Sequence, residues 1–384
     1  MSANIIIGAD LVPTKSNFEY FIKGNIEQLI GKELVYELKQ ADFTIFNLEV
    51  PLTDNETPIV KCGPNLSAPT DTIVGLSVIN PYFFTLANNH ILDQGKQGLL
   101  STIDVLKKAN ISYAGVGENI NEATTPFIKN INGIMVGIYC CAEHEFSIAT
   151  ETECGANPFN PLESLDHILL LKEKCDYVIC LYHGGKEHYR YPSPNLQKIC
   201  RKIVDKGADL VVCQHSHCIG AHEEWGTGNI VYGQGNFLFD DCDDECWKTS
   251  LLINLKISRD NNELKSKINF IPLEKQREKV RLSTDKRILE NFYNRSKSIE
   301  DIQCVKEMYD EFAENTIYNY LSALEGNKNN SLLVRGLNKL LCHRFTKWRL
   351  KRIYGGKENL CIQNFIECEA HRELLIQGLK IQRK

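Results

Sequence analysis

A chain of 384 residues with 43% hydrophobic and 24% charged side chains has material for one large α/β domain and an appendage. Lys and Arg number 44 against 49 Asp and Glu, a net charge of −5 that is too mild to select a partner for the chain as a whole. Met1 to Ile7 lacks the basic and apolar regions of a secretory leader, and no stretch nears the roughly eighteen apolar residues of a membrane span, so a cytoplasmic protein is expected.

The first strand signal is Ile5-Ile6-Ile7, ending in Gly8-Ala9-Asp10. Phe43 to Phe46 leads to Asn47-Leu48-Glu49, and Tyr82 to Leu86 leads to Asn88-Asn89-His90. A helical stretch follows over Gly98 to Ala109, then strands over Ile134 to Ile138 and Tyr177 to Leu181, the latter followed by His183. Ser193 to Lys206 reads as a helix, and Leu210 to Cys213 as a buried strand before His215-Ser216-His217. Strands alternating with helices predict a layered α/β architecture. Ile230 to Tyr232, Ser250 to Ile257 and Lys267 to Pro272 then read as strands without helices between them, suited to antiparallel pairing on the same core. From about residue 283 the pattern turns helical. The expected division is a main domain over 1–280 and a basic helical extension over 281–384.

That extension carries twelve Lys and Arg against four Glu over residues 331–384, with Leu333, Leu337, Leu340 and Leu341 at helical spacing and Trp348 beyond them. Such a helix either docks on an anionic membrane surface or packs its leucine stripe on the protein; the second is the commoner arrangement. The aromatics do not interleave with the basic residues as nucleic-acid stacking platforms would, so no nucleic acid is expected. The fifteen cysteines include no CxxC pair, and Cys140, Cys141, Cys175, Cys180 and Cys213 lie in or beside apolar runs. Reduced thiols in the core are expected, and the acidic run around Cys242 and Cys246 reads as a solvated loop.

Metal-capable residues follow the strand signals one after another: Asp10, Glu49, Asn89, His183, His215 and His217, with His90 beside Asn89. Singly, each has a plain alternative, such as Asp10 capping a helix or Asn89 ending a turn. The carboxyl ends of parallel strands share one edge of a sheet, so together these residues can converge. Extended backbone sends positions 215 and 217 to the same face. Six oxygen and nitrogen ligands exceed one tetrahedral zinc and suit a pair of divalent ions, Mn, Fe or Zn, bridged by Glu49. The chemistry of such a pair is hydrolytic, with His90 placed to donate a proton to a leaving group.

The ordered blocks Gly8-Ala9-Asp10, Asn47-Leu48-Glu49, Ala87-Asn88-Asn89-His90 with Asp93-Gln94-Gly95, Tyr182-His183-Gly184-Gly185-Lys186-Glu187, Gln214-His215-Ser216-His217 and Tyr232-Gly233-Gln234-Gly235-Asn236-Phe237 resemble the CapA family. Its members are linked to bacterial capsule and poly-γ-glutamate synthesis, and the resemblance covers about residues 4 to 245. It implies a calcineurin-like metallophosphoesterase fold, a four-layer α-β-β-α sandwich. It further implies that Asp10 and His217 hold a first ion, that Asn89, His183 and His215 hold a second, and that Glu49 bridges them. His90 takes the catalytic position. An anionic polymer or phosphoester would be the substrate, and a capsule-synthesis complex the partner.

Two positions depart from the broader metallophosphoesterase pattern. Val12 stands where the first motif has a histidine, so the first ion site loses a nitrogen ligand and the enzyme can work with one divalent ion or two; Glu49 replaces the bridging Asp with a side chain one methylene longer. Many CapA relatives also carry an N-terminal membrane anchor, which this sequence does not show. A rival from another class is therefore a non-catalytic accessory subunit that keeps the fold and one ion. Glu187, His188, Tyr189 and Arg190 follow His183 closely, and Arg190 suits an anionic group.

Overall fold

The computed structural model describes residues 1–79, 82–239, 244–261, 263–324, 344–354 and 357–367, with a few single positions near the C-terminus. Two units divide the chain, Met1–Lys306 and Glu307–Lys384.

The first unit is built on two sheets. In one, the parallel strands Ser2–Leu11, Phe43–Leu48, Phe83–Thr85 and Ser112–Ala114 lie side by side. Beyond Ser2–Leu11 the sheet continues antiparallel through Thr249–Asp260, Glu263–Gln276 and Lys279–Leu282. The second sheet runs His222–Trp225, Gly228–Val231, Leu210–Gln214, Tyr177–His183, Ile134–Ala142, Phe127–Ile131.

Alternation along these strands determines the layers. Ile5, Ile7, Phe43, Ile45 and Phe83 of the first sheet pack with Ile134, Val136, Ile179, Leu181 and Val212 of the second, so the sheets stack face to face. The intervening residues Ile6, Phe46 and Phe84 face the other way, onto Phe21, Leu34 and Leu38 of the helices Phe18–Ile22 and Lys32–Lys39 and onto Leu99 and Leu106 of Gly95–Lys108. On the far side, Tyr139, Val178 and Val211 pack against Ile168 and Leu171 of Ser164–Lys172 and against Cys200 and Ile203 of Pro194–Asp205. The result is the expected four-layer α-β-β-α sandwich. Each large side chain buried in these layers contributes about 1.5–3 kcal/mol of transfer free energy.

Local chemistry sets the element ends. Ser193 Oγ accepts from the Leu196 N–H at 3.1 Å and Pro194 occupies the first helical position, so the helix starts there. Its buried Leu196, Cys200, Ile203 and Val204 recur at helical spacing. The described cysteines are all free, and most are buried.

Gly228–Val231 pairs antiparallel with His222–Trp225, as expected, and on its other edge parallel to Leu210–Gln214. The domain boundary is corrected. Residues 281–306 belong to the first unit. Lys279–Leu282 is a sheet strand, and helix Lys286–Ser298 buries Phe292 against Ile219 and Leu251.

In the second unit, helices cover Arg344–Ile353 and Lys357–Glu367. Trp348 is exposed under the Arg352 guanidinium, 5.1 Å from its ring centroid. The stripe Leu333, Leu337, Leu340 and Leu341, like Cys242 of the acidic run, lies outside the described residues. No helix among the described residues is long and apolar enough to cross a membrane.

Candidate metal centre

The strand ends of both sheets meet at one edge. Asp10 lies one residue before the end of Ser2–Leu11, in register with Asn47 and with Asn236 of the short strand Asn236–Leu238. Glu49 directly follows Phe43–Leu48, and its N–H donates to the Leu11 carbonyl at 3.3 Å. His183 is the last residue of its strand and lies in register with Gln214.

His215 and His217 arrive differently from the sequence expectation. The strand ends at Gln214, and both histidines sit in a turn with positive φ, 86° and 55°. They converge through this turn, not through extended alternation. Non-glycine residues there are strained, by about 1–3 kcal/mol each, and persist only where surroundings hold them. The His188 N–H donates to the Ser216 carbonyl at 2.9 Å, and the His215 N–H donates to Asp10 Oδ2 at 3.2 Å. Gly233, at φ 144°, leaves the room: a Cβ there would stand 2.7 Å from Ser216 Oγ.

Glu49, His183 and His215 form one set of converging donors, and Asp10, Glu49 and His217 form another, so Glu49 belongs to both. Within each set the donor atoms lie within 4.8 Å of one another, and all these residues are buried. The His183 and His215 rings are 4.8 Å apart, and those of His215 and His217 6.0 Å. Asn89 joins the first set through Oδ1, 3.0 Å from His183 Nε2. Val12 lies in the apolar core and adds no ligand to the second set.

Residues outside the predicted set hold this arrangement. Asn47 Nδ2 donates to Asp10 Oδ1 at 2.8 Å and stands 3.1 Å from His183 Nδ1, while Asn88 Nδ2 donates to Asn47 Oδ1 at 3.1 Å. Asn88 Oδ1 accepts from the His90 N–H. Asn236 Oδ1 accepts from His217 Nδ1 at 2.8 Å, which leaves Nε2 of that ring unprotonated in the neutral imidazole. Glu145 Oε1 stands 3.7 Å from His215 Nε2, and Glu187 Oε1 3.9 Å from it. Asn47 and Asn236 lie within blocks the sequence singles out; Glu145 carries no local signal.

His90 is tied down separately. Its Nδ1 donates to Asp93 Oδ2 at 2.6 Å, and Asp93 also accepts the Leu66 N–H at 2.6 Å. The buried Lys61 ammonium pairs with the other Asp93 oxygen. Nδ1 thus carries the proton, and Nε2 is the nitrogen left for chemistry.

Burial governs the electrostatics. It pushes Asp10 well above the usual carboxylate range, with the Glu49 charge adding to the effect. Glu49 is raised to about 8 by burial, opposed by His90 and reinforced by Glu187, Asp93 and Glu145. Burial pushes His183 and His215 well down, and His217 to about 3. The imidazoles are therefore neutral near pH 7, the form in which they ligate metals. His183 Nε2 stands 3.3 Å from Glu49 Oε1, but between a neutral ring and a protonated carboxyl this contact is no ion pair.

Both Glu49 oxygens and His215 Nδ1 are buried without a hydrogen-bond partner. Unmatched buried acceptors of this kind cost about 1–3 kcal/mol each, and a cation between them would satisfy them. The donor set of carboxylate, amide oxygen and imidazole fits a divalent ion. A cavity of about 430 Å³ is lined by Val12, Thr14, Lys15, Leu66 and Gln94 among others. None of the six candidate ligands lines it, although Val12 and Gln94 are sequence neighbours of the site.

The chain is 32% identical over 212 residues to the Bacillus anthracis "Capsule biosynthesis protein CapA", covering 53% of this chain and 52% of that one. It is 26% identical over 207 residues to the "PGA biosynthesis protein CapA" of Bacillus subtilis strain 168, covering 53% and 54%. The chain thus spans about half the length of the curated relatives it matches. A solved "novel phosphatase" of Mycoplasma pneumoniae aligns with a TM-score of 0.44 at 15% identity, over 76% of this chain and 97% of that one. Residues 16–241, more than half of the chain, match the family described as "Bacterial capsule synthesis protein PGA_cap", and the protein belongs to that family.

Proposed function

We propose that this protein is a metal-dependent hydrolase of a phosphoester or related bond, acting in the synthesis of a bacterial capsule polymer such as poly-γ-glutamate. The observation that carries the reading is Glu49: a buried carboxyl with two unpartnered oxygens, shared by two converging donor sets. Asp10, Glu49 and His217 would hold one divalent ion, and Glu49, Asn89, His183 and His215 a second, with Mn, Fe or Zn suited to the donors. Such ions supply an acidified water and stabilise charge on the oxygens of the bond being broken.

The chain's own residues do the rest. Asn47 Nδ2 lies within hydrogen-bond distance of both Asp10 and the His183 ring and so orients one against the other. Asp93 and Lys61 hold His90 with Nε2 free, so that a protonated His90 delivers its proton to a leaving oxygen from that nitrogen.

The test is metal analysis of purified wild type and His215→Ala, paired with turnover of phosphodiesters and γ-glutamyl peptides under added Mn, Fe or Zn. Metal lost in His215→Ala and turnover lost in His90→Asn support the hydrolase. No turnover with any metal, together with co-purification of a polymer synthase, would instead favour a non-catalytic accessory role, which Val12 in the apolar core also suits.

A further inference from the structure

A charged cleft lies next to the turn that carries His217, with Ile219 in its lining. It encloses about 350 Å³ and is lined by Arg190, Ile219, Glu245, Asp285, Arg287 and Arg295, among others. Arg190 Nη1 and Arg295 Nη2 both donate to the Ile219 carbonyl, at 3.4 and 3.1 Å. Arg295 Nε donates to the Gly220 carbonyl at 3.0 Å, and Arg190 Nη2 to the Glu245 carbonyl at 3.5 Å.

The two acids in the cleft are already matched. Glu245 pairs with Lys248 at 2.9 Å, and Asp285 with Arg287 at 2.8 Å. Among the described residues neither Arg190 nor Arg295 forms an ion pair with a carboxylate. Two guanidinium groups thus converge on one neutral acceptor, both partly withdrawn from water. Like charges held this close repel, and burial together with the Arg190 charge lowers the Arg295 pKa. Backbone carbonyls orient the forks without neutralising them. An oxyanion would supply the missing charge, taken by the N–H groups that no carbonyl occupies.

Position links this cleft to the metal centre. Ile219 lies two residues past His217, and Glu245 sits in the turn Glu245–Lys248, whose Trp247 ring is 4.8 Å from that of His217. We propose that Arg190 and Arg295 form an oxyanion subsite beside the candidate metal centre, which takes carboxylate groups of an acidic polymer chain. The polymer as source rests on the capsule reading above; the oxyanion chemistry does not, because inorganic phosphate offers the same oxygens.

Calorimetric titration of the metal-depleted full chain tests this, so that failure of the hydrolase reading leaves the result intact. The probes are a γ-linked glutamate decamer, its γ-linked glutamine counterpart and inorganic phosphate. The expected result is decamer binding that weakens with salt, at least about tenfold weaker glutamine binding, and about tenfold loss in Arg190→Gln. Arg295→Lys, which keeps the charge but not the fork, is expected to weaken binding as well. Unchanged circular-dichroism melting shows that each variant is folded. Binding of phosphate but not of the decamer, with the same Arg190 dependence, upholds the subsite and assigns it to a phosphoryl group. No binding by either probe, or decamer binding unaffected in both folded variants, would overturn it.

Discussion

Asn47 and Asp10 sit opposite each other on neighbouring parallel strands, and Asn47 Nδ2 donates to Asp10 Oδ1 at 2.8 Å. The same amide reaches His183 Nδ1 at 3.1 Å, so one side chain orients a ligand candidate from each sheet. Asn47→Ala removes both contacts while leaving the strand pairing intact. Supports of this kind are worth about 10–100-fold in metal affinity. We expect a loss of that size in Mn or Zn titrations, with little change in circular dichroism. Unaltered affinity would show that Asn47 plays no part in holding the ligands.

Metal binding is expected to release protons. The three imidazoles are already neutral near pH 7, but Glu49 keeps its proton up to about 8 and must lose it to bind a cation. Apparent affinity therefore rises with pH through about 8, and Asp10, also raised by burial, adds to the rise. Glu49→Gln should bind more weakly and with a shallower slope. Titrations from pH 6.5 to 9, in buffers of differing ionisation enthalpy, measure both quantities.

The same shift has a sign for stability. Unfolded, Glu49 titrates near 4.5, and folded near 8, so between these values the folded metal-free chain holds the extra proton. Its contribution is complete below 4.5 and is lost as pH rises through 8. The histidines act oppositely, but only below their ordinary 6.5, since they are neutral in the fold. Melting temperature of the metal-free protein should fall between pH 6.5 and 8. Asp10 shifts in the same direction, so Glu49→Gln should reduce this fall without abolishing it.

Asp93 carries His90 on one oxygen and Lys61 on the other. Asp93→Asn leaves the Lys61 ammonium buried and unpaired, which costs about 3–5 kcal/mol. Lys61→Met with Asp93→Asn removes that charge and should recover most of the stability. Turnover should stay low in both, because His90 loses the acceptor that holds its proton on Nδ1. Recovery of turnover along with stability would reduce Asp93 to a structural part.

Gly233→Ala should distort the histidine turn. The new Cβ meets Ser216 Oγ at 2.7 Å, and φ 144° disfavours any side chain. A destabilisation of about 1–3 kcal/mol in denaturant unfolding is expected, with weaker metal retention. Wild-type metal retention would mean that Ser216 moves without disturbing its neighbours.

Much of the layering was legible in the chain, because period-two burial and helical spacing are local properties that the sandwich preserves. Ile5 and Ile7 face one layer and Ile6 the other, as a half-turn per residue requires. The candidate ligands were legible for a related reason: parallel strands bring their carboxyl ends to one edge, so chemistry-bearing residues after apolar runs stand out. Less was legible where pairing is non-local. Gly228–Val231 reads the same whether parallel or antiparallel, and Lys286–Ser298 shows its allegiance only through the pocket that buries Phe292.

Residue types, their order along the chain and the period of each element were thus determined by the sequence itself. The tertiary structure alone decided which atoms face one another. It delivered His215 and His217 through a strained turn, placed Glu145 beside His215, matched Lys61 to Asp93 and set Arg190 against Arg295. Such relationships depend on contacts between segments far apart in sequence, and burial then sets the charge states; neither is encoded in any local window of the chain.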